Sequence, residues 1–236
     1  EKEDLEEQQY FVRVCEVADK NLKSAREEES LMKYGYNDFS DSYDSSIHQK
    51  HQIAIKELDL WREIRNNPYF ARVDHGKNLK FYIGKNAINN LVVDWRDKVC
   101  NLYYQYNIYI GNEEHNLSLV RDFEIISGIY RGFIDKYSRK GDYGASNIED
   151  NVISDKFLIK VISANRGDKK THDIIQTIQR NQYEIITYDA LKSMLVLGCA
   201  GSGKTMIMLH RLSYMVFNNQ DLDIKSIYVI SPTRLL

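Results

Sequence analysis

Met194–Met215 reads MLVLGCAGSGKTMIMLHRLSYM, an apolar run that meets a glycine-rich turn and then a series of spaced apolar residues. The run at 193–197, SMLVL, is short and continuously apolar, the pattern of a strand buried on both faces of a parallel sheet. After the turn, Ile207, Leu209, Leu212 and Met215 fall at helix-compatible spacing. Strand, glycine turn and helix in that order predict a unit of an α/β domain.

The turn, GCAGSGKT, fits G-x-x-x-x-G-K-[ST] at Gly198, Gly203, Lys204 and Thr205. Glycines at 198, 201 and 203 let the main chain pass through conformations that a side chain forbids. With no side chains in the way, successive N–H groups can converge on phosphate oxygens, and the positive end of the following helix aims at the same place. Lys204 supplies a mobile cation for β- and γ-phosphates, and the Thr205 hydroxyl is a natural Mg2+ ligand. The residue types predict a nucleoside triphosphate site in which Lys204 and Thr205 are the catalytic candidates. A glycine-rich turn without a ligand is the structural alternative.

Two flanking segments belong to the same reading. Upstream stands TIQRNQYEIITYD, in which Gln182 can return near the nucleotide if a helix intervenes. Its amide offers one acceptor and one donor, the pair that grips an adenine's exocyclic amine and N7. Taken alone, Gln182 reads as an exposed helix glutamine. Downstream, IKSIYVISPTRLL is an apolar strand ending in Ser-Pro-Thr-Arg. Ends of parallel strands line the ligand crevice of a doubly wound sheet, and a hydroxyl and a cation there can hold a phosphate backbone. A strand followed by a plain turn is the other reading.

The first part of the chain has another character. After the acidic block EKEDLEEQQ, the residues Phe11, Cys15, Ala18, Leu22 and Ala25 mark one seam of a helix. Ile47, Ala54, Leu58 and Trp61 repeat that rhythm, with His51 filling the gap. Two seamed helices with a short connector predict an antiparallel coiled-coil hairpin over 1–66. The connector YGYNDFSDSYDSS carries Asp38, Asp41 and Asp44 and no basic residue, either a solvated tip or an acidic probe held at a distance. From Pro68, short aromatic and β-branched runs separated by Gly and Asn predict a small antiparallel β-rich unit over 67–145. There Leu117, Leu119, Phe123 and Ile125 alternate as in a half-buried strand, with Arg121 interrupting. Polar SRKGDYGASNIEDN forms a boundary, and residues 146–236 hold the start of the P-loop domain. In that part Phe157, Leu158, Val161 and Ile162, then Ile174, Ile175 and Ile178, stand at helical spacing.

Composition narrows the class. A net charge of −2 with 28% charged and 43% hydrophobic residues is that of a globular chain and does not by itself mark a nucleic-acid binder. Three scattered cysteines without metal-ligand spacing read as reduced thiols, hence a cytoplasmic location. No apolar run reaches the roughly 18 residues that span a bilayer, so no membrane partner is expected.

IQRNQYEII resembles the glutamine motif of superfamily 1 helicase-type ATPases, GCAGSGKT resembles their first motif, and SPTRLL the next. NPYFARVD, FYIGK and VVDWRDKVCNLYYQY, ahead of TIQRNQ, narrow the resemblance to the HelD-type branch, also termed helicase IV. Bacterial members of that branch are motors that bind RNA polymerase and release it from nucleic acid. The resemblance runs from Pro68 onward and reaches the hairpin by architecture more than by residues. It implies an α/β chain ending in an incomplete RecA-like P-loop NTPase domain. Gln182 would read adenine, Gly198 and Gly201, Ser202, Gly203, Lys204 and Thr205 would hold ATP and Mg2+, and Pro232 and Thr233 would face DNA or another nucleic acid. The hairpin would enter the polymerase's secondary channel with Asp38, Asp41 and Asp44 toward its metal-bearing centre. Met206 departs from the small or basic residue usual after the threonine. The later acidic Mg2+ ligand, the water-orienting residue and the arginines of such a motor cannot be assigned here. The chain therefore reads as the amino-terminal part of a longer ATPase. A DNA helicase or translocase in repair, and a non-catalytic docking module, are the alternatives.

Overall fold

The seam Phe11, Cys15, Ala18, Leu22 and Ala25 lies on one helix, α1 (Lys2–Asp38), and all five side chains are buried. In this computed structural model the residues described are 2–38, 45–76, 79–105, 109–110, 113–114, 117–138, 175, 178–199 and 201–230. At 1.5 Å per residue α1 is roughly 55 Å long. It pairs with α2 (Ser45–Asn66), which buries Ala54, Leu58 and also Ile64. Arg65 Nε donates to Asp19 Oδ1 at 2.8 Å, and His51 Nε2 meets Glu29 Oε1 at 3.2 Å, so polar contacts flank the apolar seam. Asp41, Asp44 and the side chains of Asp38 and Ile47 lie outside the described residues.

The aromatic runs after Pro68 form a five-stranded sheet in the order β3–β2–β1–β6–β7. Its strands are β1 (Ala71–His75), β2 (Leu79–Gly84), β3 (Val92–Asp94), β6 (Leu117–Ile126) and β7 (Ile129–Ser138). Two-residue strands β4 (Tyr109–Ile110) and β5 (Glu113–Glu114) pair apart from it. Neighbouring strands of the larger sheet are antiparallel except β2 and β3, which run parallel. Gly84 sits at that parallel junction because a Cβ there would meet the Pro68 carbonyl oxygen at 2.6 Å and Val92 Cγ1 at 2.8 Å.

Strict alternation along β6 is not what the structure shows. A register shift opposite Asp74 and His75 moves Leu117 to the face of Val120, while Phe123 lies on the opposite face. A bulge inserts one residue and turns the side chains before it over. Both faces of the sheet are covered. One packs Tyr69, Tyr82, Ile88, Val92 and Phe123 against Phe11, Val14, Cys15 and Ala18 of α1. The other packs Val73, Ile83 and Val120 against Trp95, Tyr103 and Tyr104, with Tyr183 and Ile186 from later in the chain. Helix α3 (Asn101–Gln105) supplies the Tyr103–Tyr104 pair.

Within the acidic opening block one carboxylate is not at the surface. Glu7 is 1% exposed, and its Oε1 accepts from Arg121 Nη1 at 2.8 Å and from Arg72 Nη1, while Oε2 accepts from the Tyr82 hydroxyl at 2.8 Å. Asp74 and Asp135 hold the outer sides of the same two arginines. Burial alone would lower the Arg72 guanidinium, but its bond to Asp74 and the neighbouring Tyr82 and Glu7 raise it above the ordinary arginine value. The root of α1 is thereby locked to β1 and β6.

Tyrosines account for much of both cores. Tyr10 stacks on Tyr82 with ring centroids 3.7 Å apart and donates to the Leu91 carbonyl. Tyr104 stacks on Tyr183 at 4.2 Å and donates to the Ile175 carbonyl. Burial pushes the Tyr10 hydroxyl up to about 12, helped by Glu7 and opposed by Arg13 and Arg72. Burial likewise raises Tyr69, Tyr82 and Tyr183. A pKa raised in the folded state stabilises fully below the unfolded value near 10 and is lost as pH rises through the folded value. The expected result is that urea stability holds to about pH 10 and falls steeply toward pH 12, with tyrosinate absorbance rising together with unfolding. Tyrosinate absorbance that rises fully near pH 10 in the folded protein would contradict this.

Helices α4 (Arg180–Thr187) and α5 (Lys204–Asn218) complete the described elements with short 3-10 turns at Lys98–Cys100 and Ile224–Ser226. The strands expected at 193–197 and 227–230 are not formed. Leu195 and Leu197 are 81% and 82% exposed, and Ile230 is 93% exposed. A strand of a parallel sheet is held by neighbours, and no described strand offers these runs a paired edge. The helical spacing expected near 157–174 lies outside the described residues, while Ile175 and Ile178 are buried in the core.

Candidate nucleotide site

Gly203 caps α5 from the left-handed region at φ 79°, and Gly201 stands there too at φ 78°. A Cβ at either position would meet nothing within 4 Å, so glycine is required by backbone conformation and not by crowding. At Gly198 a Cβ would come within 2.8 Å of Ser202 Oγ, a hydroxyl that can rotate away. The loop closes on its own lysine. Lys204 Nζ donates to the carbonyls of Gly198 at 2.8 Å and Cys199 at 2.6 Å, and lies 3.4 Å from Ser202 Oγ.

The helix begins without a side-chain cap or an acidic residue in its first turn. Its first internal bond runs from the Ile207 N–H to the Gly203 carbonyl at 3.0 Å. The N–H groups before it have no partner within the helix, and the dipole leaves that end positive. Thr205 is exposed in this first turn, as is Met206. The arrangement suits an anion with several oxygens, one that takes over the ammonium from the loop carbonyls and accepts from the free N–H groups. Its donor set fits a triphosphate, and the exposed Thr205 hydroxyl is an oxygen that could face a hard cation there. Among the described residues no group of three His, Cys, Asp or Glu side chains forms a metal cage.

Gln182 is the third residue of α4, where its Oε1 accepts from the Gln179 N–H at 3.1 Å. No hydrogen bond among the described residues joins it to the loop. Next to it Tyr183 is buried, stacked on Tyr104 and donating to Asn101 Oδ1 at 2.8 Å. An open groove of about 460 Å³ runs between Asn181, Glu184, Ile185 and Tyr188 of this segment and the exposed 193–197 run. Neither Gln182 nor a residue of 198–205 lines it, so the groove adjoins the loop and is not the phosphate site itself. Pro232 and Thr233 lie outside the described residues, as does the acidic tip.

Residues 5–149 match the family model described as DNA helicase IV HelD, N-terminal domain. The chain belongs to the HelD family. A search of curated proteins gave no match. The HelD match covers the helix pair and the sheet, and the loop at 198–205 stands beyond it.

What the HelD unit contributes to the candidate site is a seat for α5. Asp94 Oδ1 and Oδ2 accept from Arg96 Nε and Nη2 at 2.8 and 2.6 Å, which fixes the guanidinium. Arg96 Nη1 then donates to Ser213 Oγ at 3.1 Å, and its guanidinium carbon lies 4.6 Å from the centroid of the Phe217 ring. The Arg96 carbonyl accepts from Asn218 Nδ2 at 2.9 Å, and Trp95 meets His210 edge to face at 5.5 Å. The DWR segment is thus a socket for one side of α5. Its sequence signal was the motif itself, but nothing local in D-W-R names a helix far along the chain as its partner. Arg211, which binds the end of α4, carried no sequence signal at all. Among the described residues no helix is long and apolar enough to cross a membrane.

Proposed function

We propose that the chain is the amino-terminal part of an ATP-dependent superfamily 1 motor that binds RNA polymerase and helps to release it from nucleic acid. The observation that carries the ATP reading is the loop curled around Lys204 at the uncapped start of α5. Gly198, Gly201, Ser202 and Gly203 shape the cradle, Lys204 neutralises phosphate charge, Thr205 holds Mg2+, and Gln182 reads adenine. Bound Mg2+ offsets the negative charge that builds on the phosphates during phosphoryl transfer to water. Pro232 and Thr233 face the nucleic acid in this reading, and residues 146–236 begin a RecA-like domain. The polymerase reading rests on HelD membership and on the long helix pair, whose acidic tip at Asp38, Asp41 and Asp44 would approach the polymerase's metal-bearing centre. Alone, the chain should bind ATP weakly and hydrolyse it negligibly.

The arm is testable without harming the sheet. Contacts to the sheet core come from the first half of α1 and from Ile64 at the end of α2, whereas Leu22, Ala25 and Leu58 form a separate cluster of the helix pair. Replacing residues 30–50 by a short turn keeps both. The expected result is loss of co-purification with core RNA polymerase, with thermal stability of the sheet unit unchanged. Retained co-purification would assign polymerase contact elsewhere or overturn it. The second reading, a DNA helicase or translocase, is favoured by the family's own description. Unwinding of a tailed DNA duplex by the intact protein without polymerase would select it.

A further inference from the structure

Arg211 reaches out of α5 to the far end of α4. Its Nη1 donates to the carbonyls of Ile185 at 3.0 Å, Ile186 at 3.3 Å and Tyr188 at 2.6 Å, and its Nη2 to the Asp189 carbonyl at 3.2 Å. Helix α4 has no basic residue in its own last turn, and Tyr188 leaves it in an extended conformation. The last carbonyls of a helix need donors from elsewhere, and a cation suits the negative end of its dipole. A guanidinium supplies several donors in one rigid plane, which an ammonium cannot.

This contact joins the two elements that the ATP reading needs in register. Gln182 belongs to the first turn of α4, and Lys204 is the first residue of α5. The other end of α4 is tied through Tyr183 to Asn101 and Tyr104 of the HelD unit, beside the apolar cluster that Ile207 and Tyr214 of α5 also meet. Arg211 makes four hydrogen bonds from α5 to the α4 segment. We infer that Arg211 is a positioning residue: by clamping the carboxyl end of α4, it sets where Gln182 stands relative to the phosphate loop, and so governs base recognition without touching the nucleotide. The inference rests on the nucleotide reading given above.

The test measures binding of Mg-ATP and of inorganic tripolyphosphate to the purified chain and to its Arg211→Ala, Arg211→Lys, Gln182→Ala and Arg211→Ala/Gln182→Ala variants. Tripolyphosphate uses the loop alone, so it reports on the cradle and on folding. In the Arg211→Ala and Arg211→Lys variants ATP affinity should fall about tenfold while tripolyphosphate affinity stays within about twofold. In the Gln182→Ala background the Arg211→Ala change should cost ATP binding almost nothing further, because both act through one contact. Parallel loss of both ligands, no loss of either, or fully additive effects in the double variant would overturn the positioning role. Failure of the unaltered chain to bind tripolyphosphate would instead sink the phosphate-loop reading. Equal affinity of the unaltered chain for ATP and tripolyphosphate would sink the assignment of Gln182 to adenine, and this inference with it.

Discussion

Lys204→Ala should weaken Mg-ATP binding roughly hundredfold, the loss of about two charge-assisted hydrogen bonds to phosphate oxygens. The side chain already holds its ammonium in the middle of the loop, on the carbonyls of Gly198 and Cys199. Exchanging those neutral acceptors for phosphate oxygens is a gain in charge pairing, and that exchange is what the variant removes. Its described hydrogen bonds are all within the loop, so thermal stability should stay within about 0.5 kcal/mol of the unaltered chain. Titration with a fluorescent ATP analogue and a thermal melt separate the two effects. Undiminished affinity in the variant would end the phosphate-loop reading, whatever the loop's shape.

Glu7→Ala should be the most damaging single change to the fold. Two guanidinium groups and the Tyr82 hydroxyl lose a shared buried acceptor. Removing one partner from a buried ion cluster costs about 3–5 kcal/mol. Arg72 keeps Asp74 and Arg121 keeps Asp135, so the lower figure applies, about 3 kcal/mol, or on the order of 10 °C in melting temperature. Glu6→Ala, one residue earlier and exposed, should stay within about 0.5 kcal/mol. Equal effects of the two changes, read by urea denaturation, would show that the cluster adds nothing to the anchorage of α1.

The contrast between Glu6 and Glu7 shows where the sequence stops informing. The seam from Phe11 to Ala25 was readable because a helical period needs only neighbours along the chain. The partners of Glu7 are 65, 75 and 114 residues away, so an acidic block gives no sign that one member is buried. Tyrosine content had the same limit. Seventeen tyrosines were visible, but not that Tyr10, Tyr104 and Tyr183 would each find a distant acceptor and complete a core. Along β6, an alternation of apolar residues could not reveal a bulge, because a one-residue slip is set by the pairing strand. The apolar runs at 193–197 and 227–230 have strand character without a described partner, since composition specifies a tendency and pairing specifies a strand. At the candidate site, the glycine and lysine spacing was legible from the motif. The clamp by Arg211 and the socket at Arg96 were not, because both act on backbone atoms or small hydroxyls far off in sequence.

The sheet receives α1 on one face, while the strand and turn that end in Arg96 brace the flank of α5. Between the two, among the described residues, stand hydrogen-bonded strands and side chains that interlock. A tug along the helix pair would therefore reach α5 through the sheet and the Arg96 turn, as a tilt of packed strands.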